Sequence, residues 1–210
     1  MSGRAGPGEY RAAAVPDTGV VTDAYRYPVE ILHLLVSPAH AYFGRARDGA
    51  ADVPTTDADA VQVVAGKGIV GDRFFGKAAH MDAAVTLLAV EGLEAIATEL
   101  GVARFDPLAA RRNVVLRGAQ LAPLLGHDIT LESGGDAVPL RVGRPANPCA
   151  WMDRVLAPGA HAAMRGRGGV RCMPLADGVL HRGPAVLVSP VALEPGRAGE
   201  AAVRRASRLP

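Results

Sequence analysis

Lysine is nearly missing from this chain of 210 residues: Lys67 and Lys77 are its whole complement, although Lys and Arg together number 23. Cysteine is scarce too, and two thiols, Cys149 and Cys172, are too few for a disulfide framework. Aromatics are thin, with four Phe, four Tyr and one Trp, which argues against a base-stacking platform for nucleic acid. The formal net charge of +2 is too small to steer the protein to nucleic acid or to an anionic membrane surface. No apolar run approaches the roughly 20 residues that span a bilayer. Near the start, Ala12-Ala13-Ala14-Val15 is too short for the apolar stretch of a signal peptide. Together these absences predict a cytoplasmic protein with reduced thiols and neither a nucleic-acid nor a membrane partner.

The composition that remains is 49% hydrophobic, enough for one domain with a real core. Residues 1–27 are rich in Gly, Ala and Pro and read as a flexible leader, and residues 191–210 read as a flexible basic tail. Between them, 28–190 holds short apolar runs separated by Gly and Pro. Val29–Val36, Val61–Ala65, Val85–Ala89, Asn113–Leu116, Asp128–Glu132, Val138–Val142 and Ala185–Val188 read as strands. Leu93, Ile96, Ala97 and Leu100 repeat at helical spacing, so a helix is predicted from about Val90 to Leu100, with Gly101 past its end. A weaker helix follows Trp151. Many strands and few helices predict a mainly β fold, a closed or nearly closed barrel with peripheral helices.

Arg111-Arg112-Asn113-Val114-Val115-Leu116-Arg117-Gly118 puts paired guanidiniums at the mouth of a strand. Adjacent residues on a strand face opposite sides, so one of the two arginines is expected to enter any given pocket. Cys149 follows Pro148 in a turn, where its sulfur is expected to be presented beside Arg144. A buried small hydrophobe is the other reading of a free cysteine, and it suits Cys172 better. Arg165-Gly166-Arg167-Gly168-Gly169-Val170-Arg171 is a basic loop able to clamp a phosphate, without Walker or dinucleotide spacing. Gly66-Lys67-Gly68 leads into a turn bearing Asp72 and Arg73. The six histidines show no HExxH or CxxC context, so a zinc site is unsupported, and no GxSxG elbow marks a serine hydrolase. Arginine plus one presentable thiol suits a phosphorylated ligand beside a sulfur-ligated metal, or a transferable sulfur.

In order along the chain, Ser37-Pro38-Ala39-His40-Ala41-Tyr42-Phe43-Gly44, Gly71-Asp72-Arg73-Phe74, Val85-Thr86-Leu87-Leu88 with Glu91, Arg111-Arg112-Asn113-Val114-Val115 with Gly118, Pro148-Cys149 and Arg167-Gly168-Gly169-Val170-Arg171 resemble the MOSC domain, the C-terminal domain of molybdenum-cofactor sulfurases. The resemblance covers about Val29 to Val188 and implies a β-rich barrel that handles molybdenum cofactor (molybdopterin) or its sulfur. It implies Cys149 as molybdenum ligand and catalytic residue, or as the carrier of a persulfide. It places Arg73, Arg111 and Asn113 on the pterin and its phosphate, and the cofactor-binding set extends to Lys67, Thr86 and Arg167. As an oxidoreductase, the protein would reduce N-hydroxylated bases or amidoximes; a metal-free sulfur carrier and a non-catalytic binding domain are the alternatives. A separate electron- or sulfur-donor protein is implied as partner. Pyridoxal phosphate chemistry within this chain is not expected, since both lysines lie in the segment around Arg73. Gly183-Pro184 stands where the family commonly has Gly-Asp.

Overall fold

The computed structural model describes residues 24–202. In chain order it runs β1 (Tyr25–Val36), β2 (Thr56–Asp57), β3 (Ala60–Val64), β4 (Gly68–Ile69), β5 (Val85–Ala89), α1 (Val90–Glu99), β6 (Val114–Arg117), β7 (Asp128–Ser133), β8 (Asp136–Pro145), α2 (Met152–Val155), α3 (Ala160–Ala163), β9 (Val170–Pro174), β10 (Gly178–His181) and β11 (Gly183–Ser189). Short 3-10 helices at Ala46–Asp48, Ala78–Ala83 (kinked at His80), Pro107–Ala110, Ala122–Leu124 and Pro195–Arg197 fill the connections.

The main sheet runs β11-β7-β8-β9-β5-β6-β1, and β1 pairs back onto β11, so the sheet closes into a barrel. The seam joins Tyr25 to Ser189 at one end and Ile31 to Gly183 at the other. Closure leaves these strands without open edges, which suits a mainly antiparallel sheet of short strands. β5 and β6 are a parallel pair, joined by α1 as a crossover. A smaller sheet, β10-β3-β4, caps the barrel beside β8. Among the described residues no helix is long and apolar enough to cross a membrane.

Strand alternation builds two cores. Leu87, Val114 and Leu116 point inward and join Ile31, Leu131, Leu140, Cys172 and Leu187 in the barrel interior. Their neighbours Leu88 and Val115 point outward and meet Leu93 and Ile96 of α1, together with Trp151, Met152 and Met164. β5 is therefore buried on both faces and reads as a continuous apolar run. Helix α1 ends as the sequence indicated: Gly101 takes φ +66°, its N–H reaches the Thr98 carbonyl, and the Val102 N–H reaches Ala97.

Tyr25, Arg26 and Tyr27 belong to β1 and pair with β11, although the sequence placed them in the leader. Residues 191–202 of the expected tail pack on the barrel: the Leu193 N–H donates to the Tyr27 hydroxyl, and the Ala202 N–H to the Gly166 carbonyl. The remainder of both expected segments, 1–23 and 203–210, lies outside the described residues.

Candidate functional site

The segments after β1, after β4, before β6 and after β8 converge on one small cleft. Its wall comprises His40, Ala41, Tyr42, Arg73, Ala110, Arg111, Arg112, Asn147, Cys149 and Met152. It holds about 90 Å³, space for several waters.

Arg111 and Arg112 both reach this cleft, which corrects the expectation that only one would. They precede β6 rather than lie on it. The turn Pro107–Ala110, capped by the Asp106 carboxylate on the Leu108 N–H, ends with Arg111 at φ 52° and ψ 43°. Among the described residues Arg111 is the one non-glycine with positive φ. That left-handed step breaks strand alternation and delivers both guanidiniums to the same side.

The three arginines are held differently. Arg111 donates to neutral acceptors, the hydroxyls of Thr55 at 3.1 Å and Ser37 at 2.7 Å and the Ala39 carbonyl at 2.9 Å, and its guanidinium lies over the Tyr42 ring. Arg112 grips carbonyls alone: Gly168 at 2.9 Å, Ala110 at 3.0 Å and Ala146 at 3.0 Å. Burial pushes the Arg112 guanidinium down to about 10, with the charge of Arg171 adding to it. Arg73 has long contacts, to Asp72 at 3.3 Å and to the Arg111 carbonyl at 3.4 Å, and its buried Nε has no hydrogen-bond partner. Burial also lowers Arg73 and Arg111, though both remain cations at neutral pH.

Asp72 is the carboxylate in contact with this group, so guanidinium charge exceeds its balance. Arg73 is fixed through it. The Asp72 carboxylate accepts from Arg73, from the Asn113 amide at 3.1 Å, from the Ser37 N–H and from the Phe74 N–H. Asn113 is fully buried; its Oδ1 accepts from the Thr86 N–H at 3.1 Å and the Thr86 hydroxyl at 2.8 Å, and its amide also donates to the Leu35 carbonyl. His40 stands edge-on to Phe74, and burial together with the charges of Arg73 and Arg111 lowers its pKa, keeping it neutral at pH 7.

Cys149 is exposed at the cleft, whereas Cys172 lies in the core, where burial pushes its thiol up. The loop carrying Cys149 is fastened by the Ala146 N–H to the Gly169 carbonyl and by Arg112. Glycine at 168 allows this approach, because a Cβ there would come within 2.2 Å of the Ala146 carbonyl oxygen.

Of the residues singled out from sequence, the cleft gathers Cys149, Arg73, Arg111 and Arg112. Thr86 and Asn113 lie buried behind Asp72 and support Arg73 rather than line the wall. Lys67 is exposed in the β3–β4 turn, away from the wall. Arg167 pairs with Glu99 at 2.8 Å and donates to the Gly199 carbonyl, so its fork ties α1 to the C-terminal segment instead of clamping a phosphate here. Arg144 is not part of the cleft wall and pairs with Asp82 at 2.8 Å. Asn147 stands in the Asn147-Pro148-Cys149 turn that the sequence marks, without a role of its own, whereas His40, Tyr42 and Met152 were not singled out. His40 and Tyr42 sit in the quoted Ser37–Gly44 segment, but no spacing in it shows that the loop folds over Arg111.

The donor set fits a phosphate-bearing cofactor whose metal accepts sulfur. Arg73 has an unused buried N–H, Arg111 has no carboxylate partner, and a soft thiol is reachable beside them. Among the described residues no cluster of three or more His, Cys, Asp or Glu side chains can hold a metal ion. Cys149 could thus supply one ligand to a metal that brings the others.

Residues 66–186 match the family model described as MOSC domain. No curated protein matches the chain. Among solved structures, YuaD from Bacillus subtilis aligns with a TM-score of 0.62 at 19% identity, covering 81% of this chain and all of that one. YiiM from Geobacillus stearothermophilus aligns at 0.52 and 19% identity, covering 76% of this chain and 74% of that one. YiiM from Escherichia coli aligns at 0.51 and 20% identity, covering 84% and 75%. At these identities the likeness is one of fold.

Proposed function

Because this chain belongs to the MOSC domain family, we propose that its arginine-lined cleft binds molybdenum cofactor, with Cys149 as the protein's ligand to the metal. The observation carrying this reading is the set of guanidiniums, one with an orphaned buried N–H, around an exposed thiol. Arg73 and Arg111 would hold the phosphate, as forked donors in a partly desolvated setting do. Thr86, Asn113 and Asp72 keep Arg73 in place, and Arg112 anchors the loop that presents the sulfur. Neutral His40 can donate to a bound oxygen or take up a proton there. When bound, the cofactor would supply a redox-active metal for two-electron reduction, with N-hydroxylated compounds as the substrate class and a separate donor protein as electron source. That last step rests on family analogy.

The test is molybdenum and pterin content of protein made in a host that synthesises the cofactor. Wild type should carry both, Cys149→Ala should lose molybdenum, and Arg111→Gln should lose pterin. Equal molybdenum in wild type and Cys149→Ala would remove Cys149 as ligand.

The exposure of Cys149 favours a second reading, a persulfide carrier without metal. A Cys149 thiolate attacking the outer sulfur of a donor persulfide would take that sulfur, and the donor would leave as a thiol. Intact mass after incubation with a cysteine desulfurase and cysteine should then show one added sulfur; an unchanged mass would end this reading.

A further inference from the structure

We propose that Cys149 is also a site of reversible mixed-disulfide modification, selective for carboxylate-bearing small disulfides. The cleft has features that attract such a reagent without any cofactor. Arg73 has a side chain only 8% exposed, yet its Nε has no hydrogen-bond partner and its other two contacts are 3.3 and 3.4 Å long. Arg111 spends its donors on hydroxyls and a carbonyl, and Arg112 on carbonyls. A carboxylate entering beside the thiol meets three guanidiniums, of which Arg73 alone contacts a carboxylate, that of Asp72, so anionic reagents are concentrated where the sulfur is exposed.

In the exchange, the Cys149 thiolate attacks one sulfur of the reagent. The reagent's S–S bond breaks, a new one forms to Cys149, and the leaving half departs as a thiolate that takes a proton from water. The Cys149 sulfur is oxidised and the leaving half reduced, so the disulfide is the oxidant. The adduct persists, because Cys172 is buried in the barrel core and cannot act as a resolving thiol. A capped sulfur is unavailable to ligate a metal or to carry sulfur, so the modification switches off either use until a small thiol removes it.

Three aliphatic disulfides of similar length serve as probes: dithiodipropionate as dianion, hydroxyethyl disulfide as neutral reagent and cystamine as dication. Adduct formation is read at Cys149 by peptide mass, with the urea-unfolded chain as reference for intrinsic reactivity. Relative to that reference, the dianion should react about tenfold faster than the dication at low salt, because local potential raises encounter. The gap should shrink to about twofold near 1 M salt, and Arg111→Gln should narrow it without added salt. Equal normalised rates for the three reagents would overturn the proposal, as would a preference for the dianion that high salt leaves unchanged. The salt comparison uses wild-type protein without cofactor, so its outcome is separate from that of the molybdenum measurement.

Discussion

Replacing Asn113 with Leu tests the support behind Arg73. The native amide receives the Thr86 N–H and hydroxyl and donates to the Leu35 carbonyl and to Asp72, all in a fully buried position. Four such bonds at about 1 kcal/mol net each put the loss near 4 kcal/mol. Leucine is of similar shape, and its extra buried apolar surface returns about 1 kcal/mol. The expected destabilisation is therefore about 3 kcal/mol, within the margin of an ordinary domain. Urea unfolding should show a lower midpoint with an unchanged slope. Once the Asn113 side chain is gone, the Thr86 hydroxyl has lost its acceptor, so adding Thr86→Val should cost about 1 kcal/mol less than in the wild-type background. A loss below about 1 kcal/mol, or strict additivity of the two changes, would refute this account of the network.

Gly168→Ala should push the Ala146 carbonyl off Arg112, lower stability by about 2 kcal/mol and slow Cys149 alkylation, read by timed mass spectrometry. Titration with an aromatic disulfide should find one reactive thiol in the native protein and two after unfolding, since Cys172 is buried. Burial alone would raise the Asp57 carboxyl, but the bond from His33, the Leu34 N–H and the charge of Arg182 hold it below its ordinary value. Its stabilising contribution is thus present above the unfolded carboxylate range and lost as pH falls through the lower folded value. Asp57→Asn should flatten that acid limb in melting curves taken from about pH 6 to pH 3. His40 is held neutral by burial and by Arg73 and Arg111, so an anion entering the cleft should raise its proton affinity. Sulfate, whose own charge is fixed near pH 6, should then bind there with proton uptake, measured by calorimetry in buffers of different ionisation heat.

Much of the barrel was legible because its signals are local. Val85–Ala89 was read with its bounds unchanged, since an apolar run closed by a helix start needs no distant context. β2, β4 and β10 were not found; at two to four residues they carry too little pattern, and Thr56–Asp57 is polar. The site was legible in its chemistry but less so in its placement. Cys149 after Pro148 and the pair Arg111-Arg112 were visible, whereas their convergence depends on a left-handed residue at 111 that strand reasoning could not supply. Arg167 and Lys67 resemble Arg73 as sequence signals. Glu99 draws the first away and the β3–β4 turn faces the second to solvent, and neither is decided within its own segment.

The first and last strands of the ring are the two that seal it, with Tyr25 against Ser189. During synthesis β1 must therefore wait, one side unmatched, until β11 has emerged from the ribosome. Low-complexity polar sequence could be inserted in the surface turns with little effect on this zipper, but a chain cut short before Gly183 would present two raw borders to its neighbours and should aggregate rather than fold.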